Sequence, residues 1–267
     1  MIRGLVLVLA LLVGPAGAET VRMAVTTSFQ NSGLADVLLP EIASETGIRV
    51  DLLVVGTGQA LRLGEAGDVD AVLVHARAAE EAFVAGGHAT HRREIMFNDF
   101  VIVGPAADPA NVGSAENAPN SLARIANQEA DFVSRGDDSG THKTEISLWE
   151  AAGLAPDSFG AWYKSVGAGM GASLNTAAGL GAYILTDRAS WLNFANPRDL
   201  ALLHEGDPAL HNQYAFLPID PARHPHVAAA ATQTLEAWLT SDRARELIDG
   251  YRVAGQQLFT FNATQRP

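Results

Sequence analysis

The chain has no cysteine among its 267 residues. That removes thiol catalysis, disulfides, zinc–thiolate sites and iron–sulfur clusters. It also removes the lipid anchor of exported bacterial lipoproteins, which a cysteine at the new N-terminus must carry. Basic residues are scarce: 18 Lys and Arg stand against 30 Asp and Glu, a formal net charge of −12. An acidic surface of this kind argues against nucleic acid or anionic membrane as partners, but it leaves room for a local anion site. Gly-Lys-Ser/Thr phosphate loops and His-Glu-x-x-His helices are absent, and with them the nucleotide and zinc-hydrolase chemistry those motifs support. After the first eighteen residues no apolar run approaches the about 20 residues that span a membrane.

What is present begins with a leader. Arg3 precedes the apolar run Leu5–Val13, and Ala16-Gly17-Ala18 fits the small-x-small rule of signal peptidase. The pattern predicts a secretory signal peptide over residues 1–18, cleaved after Ala18. A membrane anchor is the weaker reading because Pro15 and Gly17 interrupt the run early. An exported chain without a lipid anchor is expected in a Gram-negative periplasm, acting there as a soluble monomer.

Short apolar runs then alternate with helical periodicity. Val21–Thr27, Val50–Val55 and Ala71–Val74 read as strands, separated by helices near 33–46 and 58–66. Phe100–Pro105, Phe132–Ser134, Ala182–Leu185, Leu200–Leu203 and Tyr214–Ile219 read as further strands, and Pro225–Tyr251 as mostly helix. Such alternation predicts an α/β fold with a parallel, helix-covered sheet. Breaks in style at Asn98-Asp99-Phe100 and near Tyr214–Pro221 suggest that the chain leaves a first lobe and later returns to it.

Four segments sit where a strand gives way to a helix: Thr26-Thr27-Ser28, Gly56-Thr57-Gly58-Gln59, Gly136-Asp137-Asp138-Ser139-Gly140-Thr141 and Gly169-Met170-Gly171-Ala172-Ser173. Helix N-termini expose unpaired N–H groups at the positive end of the dipole. Hydroxyls add donors, and glycine admits a close backbone approach. An anion site built this way needs little net positive charge. Each segment taken alone also reads as ordinary helix capping. The run from Ser134 to His142 is the strongest. Arg135 offers a cationic fork, Ser139 and Thr141 offer hydroxyls, Gly140 offers a backbone N–H, and Asp137 is placed to hold Arg135. The eight histidines form no spacing of known metal sites, so no metal is expected. Glu80/Glu81 and Asp68/Asp70 read as solvated charge.

These residues carry a resemblance. Thr26-Thr27-Ser28 with Ser32-Gly33-Leu34, Val54–Leu61, Leu73-Val74-His75-Ala76, Asn98–Pro105, Ser134–Lys143 and Gly169-Met170-Gly171 resemble, in order, the tungstate-binding proteins of ABC importers, a branch of the type II periplasmic-binding-protein family. The resemblance implies two α/β lobes joined by two crossover strands, Phe100–Val103 and Tyr214–Ile219, with a ligand cleft between them. Lobe I would comprise 19–99 plus 219–267, and lobe II 100–218. It implies an oxyanion site lined by Thr27, Ser28, Thr57, Gly58, His75, Arg135, Ser139, Gly140, Thr141, Met170, Gly171 and Ala172. It also implies an inner-membrane ABC permease as partner, no cofactor and no catalysis. Where that family shows a further threonine, this chain has Val25. If Thr27 faces the ligand, Val25 lies one pleat deeper on the same face.

Phosphate-binding relatives place an acidic residue at the end of the third strand to accept the ligand's proton. Here His75 stands in that position, which favours a fully deprotonated dianion, tungstate first, then molybdate or sulfate. Phosphate would leave a donor unpaired, at a cost of about 1–3 kcal/mol. From a different class, Ser139 with His142 three residues on suggests a secreted serine hydrolase as the remote alternative.

Overall fold

The computed structural model describes residues 19–264. The leader and its cleavage site lie outside the described residues. The first third runs β1 (Glu19–Thr26), α1 (Thr27–Ser32), α2 (Leu34–Thr46), β2 (Ile48–Val55), α3 (Thr57–Ala66), β3 (Ala71–Val74), α4 (Arg77–Ala85) and β4 (Arg93–Pro105). The middle contains α5 (Ala118–Asn127), β5 (Phe132–Ser134), α6 (Gly140–Ala151), β6 (Tyr163–Ser165), α7 (Met170–Leu180), β7 (Tyr183–Asp187), α8 (Arg188–Leu192) and β8 (Leu200–His204). The return comprises β9 (His211–Pro218), α9 (Ala229–Leu239), α10 (Asp242–Gly250), β10 (Arg252–Val253), β11 (Gln256–Gln257) and β12 (Thr260–Phe261). Among the described residues no helix is long and apolar enough to cross a membrane.

The strands join in the order β2-β1-β3-β9-β4-β7-β5-β6, with β8 and β12 also on β4. Pairing within each end is parallel, as the alternation predicts: β1 with β2 and β3, and β5 with β6 and β7. It is antiparallel wherever β4 or β9 takes part. The parallel sheet expected from the alternation is found within each end, and the sheet as a whole is mixed. β4 and β9 carry the chain out and back, and a returning strand must run against its neighbours.

Both faces of the sheet are covered, so the strands alternate between two cores rather than between core and water. In β1, Val21, Met23 and Val25 enter one core and Ala24 the other. In β4, Phe100 and Ile102 enter one core of the second lobe and Val101 and Val103 the other. These cores also locate the crossings. Met96 belongs to the first lobe and Phe100 to the second; Leu210 belongs to the second and Tyr214 to the first. Along β4 and into β9 the core that the chain enters changes between Met96 and Phe100 and between Leu210 and Tyr214. β9 pairs wholly with β3 and the first half of β4. Between the crossings the buried Asn212 donates to Asn98 Oδ1 at 2.7 Å.

Two charges expected in solvent are buried instead. Glu80 is fully buried and accepts from Ala76 N at 2.6 Å and Arg92 Nε at 2.6 Å. Asp70 accepts from the backbones of Arg22 at 2.7 Å and Ala228 at 2.9 Å. Both tie down backbone N–H groups that sheet and helix leave unpaired, which local sequence does not reveal.

Candidate functional site

Four helices begin at one cavity of about 420 Å³. Their N-cap residues are Thr26 for α1, Gly56 for α3, Ser139 for α6 and Gly169 for α7, and all four line the cavity. Thr26 Oγ1 accepts from Phe29 N at 3.3 Å and Ser139 Oγ from His142 N at 3.3 Å. The glycine caps have no side chain to offer, so the first-turn N–H groups of α3 and α7 stay available to a guest. Thr57 Oγ1 is buried and makes no hydrogen bond within the protein.

Arg135 follows β5 and is 6% exposed. Its Nη2 donates to Asp137 Oδ2 at 2.5 Å, the contact expected to hold it, and its Nη1 lies 3.5 Å from Thr141 Oγ1. Its Nε has no partner. Burial pushes the Asp137 carboxyl up, but hydrogen bonds from Ser139 and the Arg135 guanidinium outweigh it and hold the group below the usual range. The loop turns at Gly136, where φ is +60° and a Cβ would lie 1.9 Å from Ser165 Oγ. Only glycine fits that turn. Ala168 N donates to Arg135 O at 3.1 Å, which ties the start of α7 to the same loop.

His75 faces this arginine from the end of β3. Burial first, then the Arg135 charge, lowers its pKa to about 4, so the imidazole is neutral at pH 7. Its Nε2 lies 3.0 Å from Ser28 Oγ, which also lies 2.9 Å from Thr26 Oγ1 and 3.3 Å from Tyr214 OH. On its other side His75 packs on Gly140 across the cleft: a Cβ built there would stand 2.6 Å from His75 Cε1.

The predicted residues Thr27, Ser28, Thr57, Gly58, His75, Arg135, Ser139, Gly140 and Thr141 all line this cavity. Met170, Gly171 and Ala172 line an adjoining space of about 260 Å³, which shares Thr27, Ser28, Arg135 and Gly169 with the first. Val25 is fully buried in the first-lobe core. The pleat argument for it is corrected, because the strand ends at Thr26 and Thr27 already opens α1, so Thr26, Thr27 and Ser28 all face the cavity. Sequence reasoning missed Arg62, which holds Gln59 Oε1 at 2.8 Å on the rim, and Asp187, which ends β7 and lines the adjoining space. Asp187 stands at a further strand-to-helix junction, and that position was its available signal.

Ser139 and His142 do not form a nucleophile–base pair. The Ser139 hydroxyl caps its helix, and His142 Nδ1 accepts from Asp138 N at 3.1 Å. The paired histidines bind backbone or side chains: His224 to Glu65 O at 3.0 Å, His226 to Gly67 O at 2.8 Å, and His91 to Glu236 at 2.7 Å. Among the described residues no group of three or more His, Cys, Asp or Glu is arranged to hold a metal ion.

One titrating group lies behind the site. Glu145 on α6 accepts from Tyr163 OH at 2.7 Å and Trp149 Nε1 at 3.1 Å. Burial raises its pKa from 4.5 to about 7, against those hydrogen bonds. The folded state therefore holds this proton more tightly than the unfolded chain. Its contribution to stability is fully present below about pH 4.5 and is lost as pH rises through about 7, on the order of 3 kcal/mol in all. Glu145→Gln is expected to flatten the stability profile between pH 5 and 8 by about that amount. Denaturant melts at both pH values check it, and an unchanged slope would assign the profile to other groups.

Comparison with known proteins places this geometry. A model of the PBP superfamily domain matches residues 13–243. The tungstate-binding protein TupA of Peptoclostridium acidaminophilum is 42% identical over 249 residues, 91% of this chain and 86% of that protein. The structure of the tungstate-binding protein TupA from Desulfovibrio alaskensis G20 superposes with a TM-score of 0.85 at 44% identity, covering 92% of this chain and 100% of that one. The tungstate ABC transporter structure from Geobacter sulfurreducens gives 0.80 at 44% identity, covering 87% and 99%.

Proposed function

The chain belongs to the PBP superfamily and, within it, to the family of tungstate-binding proteins, and from that membership we propose that the cavity at the four helix starts captures tungstate. The chain is then the solute-binding component of an ABC importer and not an enzyme, and a membrane permease receives its cargo. The observation that carries this reading is the convergence of four N-caps on one cavity with a single buried arginine. Backbone dipoles and hydroxyls supply most of the attraction, which is how a chain of net charge −12 holds an anion.

The proposed ligand residues are the twelve predicted from sequence together with Thr26, Gly56 and Gly169. Thr26, Thr27, Ser28, Thr57, Gly58 and His75 come from lobe I, and Arg135 to Thr141 with the start of α7 come from lobe II. The ion gains donors from both lobes only when the cleft is shut, so it favours the shut state. We divide the chain into residues 19–99 with 211–264 as lobe I and the intervening segment as lobe II. Neutral His75 at the end of β3 supports a dianion that brings no proton, which ranks tungstate, molybdate and sulfate above phosphate. A monomer exported to the periplasm after cleavage at Ala18 completes the proposal.

A thermal-shift panel of tungstate, molybdate, sulfate and phosphate tests it. A ligand at a hundred times its Kd adds about 2.7 kcal/mol to the folded state, which raises the melting temperature by roughly 5–11 °C in a chain of this size. Tungstate is expected to give that shift. A shift with phosphate and none with tungstate would overturn the substrate.

A further inference from the structure

Asp187 is a carboxyl that the anion site does not explain. It is 1% exposed. One oxygen, Oδ1, caps α8 by accepting from Ser190 N at 2.8 Å. The other, Oδ2, is buried and makes no hydrogen bond. Asp187 lines the space that Thr27, Ser28, Arg135, Met170 and Gly171 share, which adjoins the cavity that Asp137 lines. A buried carboxylate oxygen without a donor is costly, and beside a dianion it is repelled as well. The same oxygen carrying a proton is a donor, and the cost becomes a contact.

Resting on the oxyanion reading of this cavity, we propose that Asp187 enters the ligand complex as a neutral acid whose Oδ2–H donates to the bound oxyanion, so that capture of a dianion takes up one proton from solvent. The proton goes to Asp187 and no bond in the ligand changes. The charged and titratable groups facing Asp187 are Arg135, from the β5–α6 loop, and Tyr214, from β9. Burial raises the Asp187 carboxyl above its usual range; Ser190 hydrogen bonds and then Arg135 pull it back down. An arriving dianion pushes the group further up, because a like charge favours the neutral form. Burial keeps the Tyr214 phenol protonated far above neutral pH, so it neither supplies nor absorbs the proton. His75 is already neutral.

Calorimetry of tungstate binding between pH 7 and 9, in buffers of different ionisation enthalpy, reads the proton count directly. Uptake approaching one proton per tungstate is expected, with Kd rising by up to about tenfold per pH unit. Asp187→Asn keeps the oxygen that caps α8 and places a permanent N–H donor where the acid proton stood. It should bind without proton uptake, with a Kd flat across the range and at least tenfold tighter than the unaltered protein at pH 9. A melting temperature for the variant confirms that it folds. Binding with no proton uptake by the unaltered protein, or equal uptake in both, overturns the role of Asp187 alone. Loss of binding in a folded Asp187→Asn also overturns it, since the carboxylate would then be what the site needs. Failure of the unaltered protein to bind tungstate at all overturns the oxyanion reading beneath it.

Discussion

Replacing Arg135 with Ala is expected to weaken tungstate binding at least tenfold. The side chain is the only buried cation at the cavity, since Arg62 is exposed and occupied with Gln59. Two carboxyls flank it, Asp137 in direct contact and Asp187 within its field. Truncation therefore removes the charge and leaves Asp137 unbalanced beside the ligand. Truncating the buried cation that pairs with a bound anion costs about 2–5 kcal/mol of binding, and each 1.4 kcal/mol is a factor of ten in Kd. Arg135→Lys is expected to fall between the two, because an ammonium keeps the charge and loses the planar fork. Titration calorimetry on variants with intact melting transitions checks both, and an unchanged Kd for Arg135→Ala would remove this residue from the site.

Gly140→Ala is expected to cost a similar factor by a different route. The added Cβ meets His75 Cε1 at 2.6 Å and Nδ1 at 2.8 Å. The imidazole has nowhere to retreat: Ser28 holds one side at 3.0 Å, and the Tyr214 ring lies 4.7 Å away. His75 belongs to the first lobe, while α6 packs on the second-lobe core through Leu148 and Trp149, so the collision falls between the lobes and inside neither. The lobes would part by a fraction of an ångström or more, and donors on opposite walls would no longer reach the ion together. Ligand-free stability should change little. A solution scattering profile that fails to contract on adding tungstate is the expected signature. Ligand-induced contraction equal to that of the unaltered protein would show that the contact does not limit closure.

Much of this was legible in the sequence because the relevant signals are local. Runs such as Val-Leu-Val at 72–74 and Val-Ile-Val at 101–103 mark doubly covered strands, and hydroxyls or glycines at their ends mark helix starts. Arg135 with Asp137 two residues on is likewise a short-range device. What escaped depends on chain return. The direction of β9 follows from where the second lobe ends, and no residue in His211–Pro218 encodes it. The helix α1 was missed because Thr27–Ser32 has six residues and no apolar period. Glu80 and Asp70 look like surface charge until the backbone donors they serve are placed beside them. For Asp187, only the assembled fold shows that its second oxygen is buried without a partner.

The buried Asn98–Asn212 contact bears on how the molecule moves as a mechanical object. The two spans that connect the lobes are register partners in one antiparallel ribbon, stiffened further by the Phe97 ring stacked 5.0 Å from His211. Two strands about 5 Å apart make a strip wider than it is thick. Such a strip flexes readily out of its plane and resists bending within it, as a leaf spring does. The cleft closure proposed above is then expected to turn about one axis, with the amide pair on the ribbon that bends. On that expectation Thr57 and Ser139, which line the same cavity, are aligned by the ribbon and not by the ion.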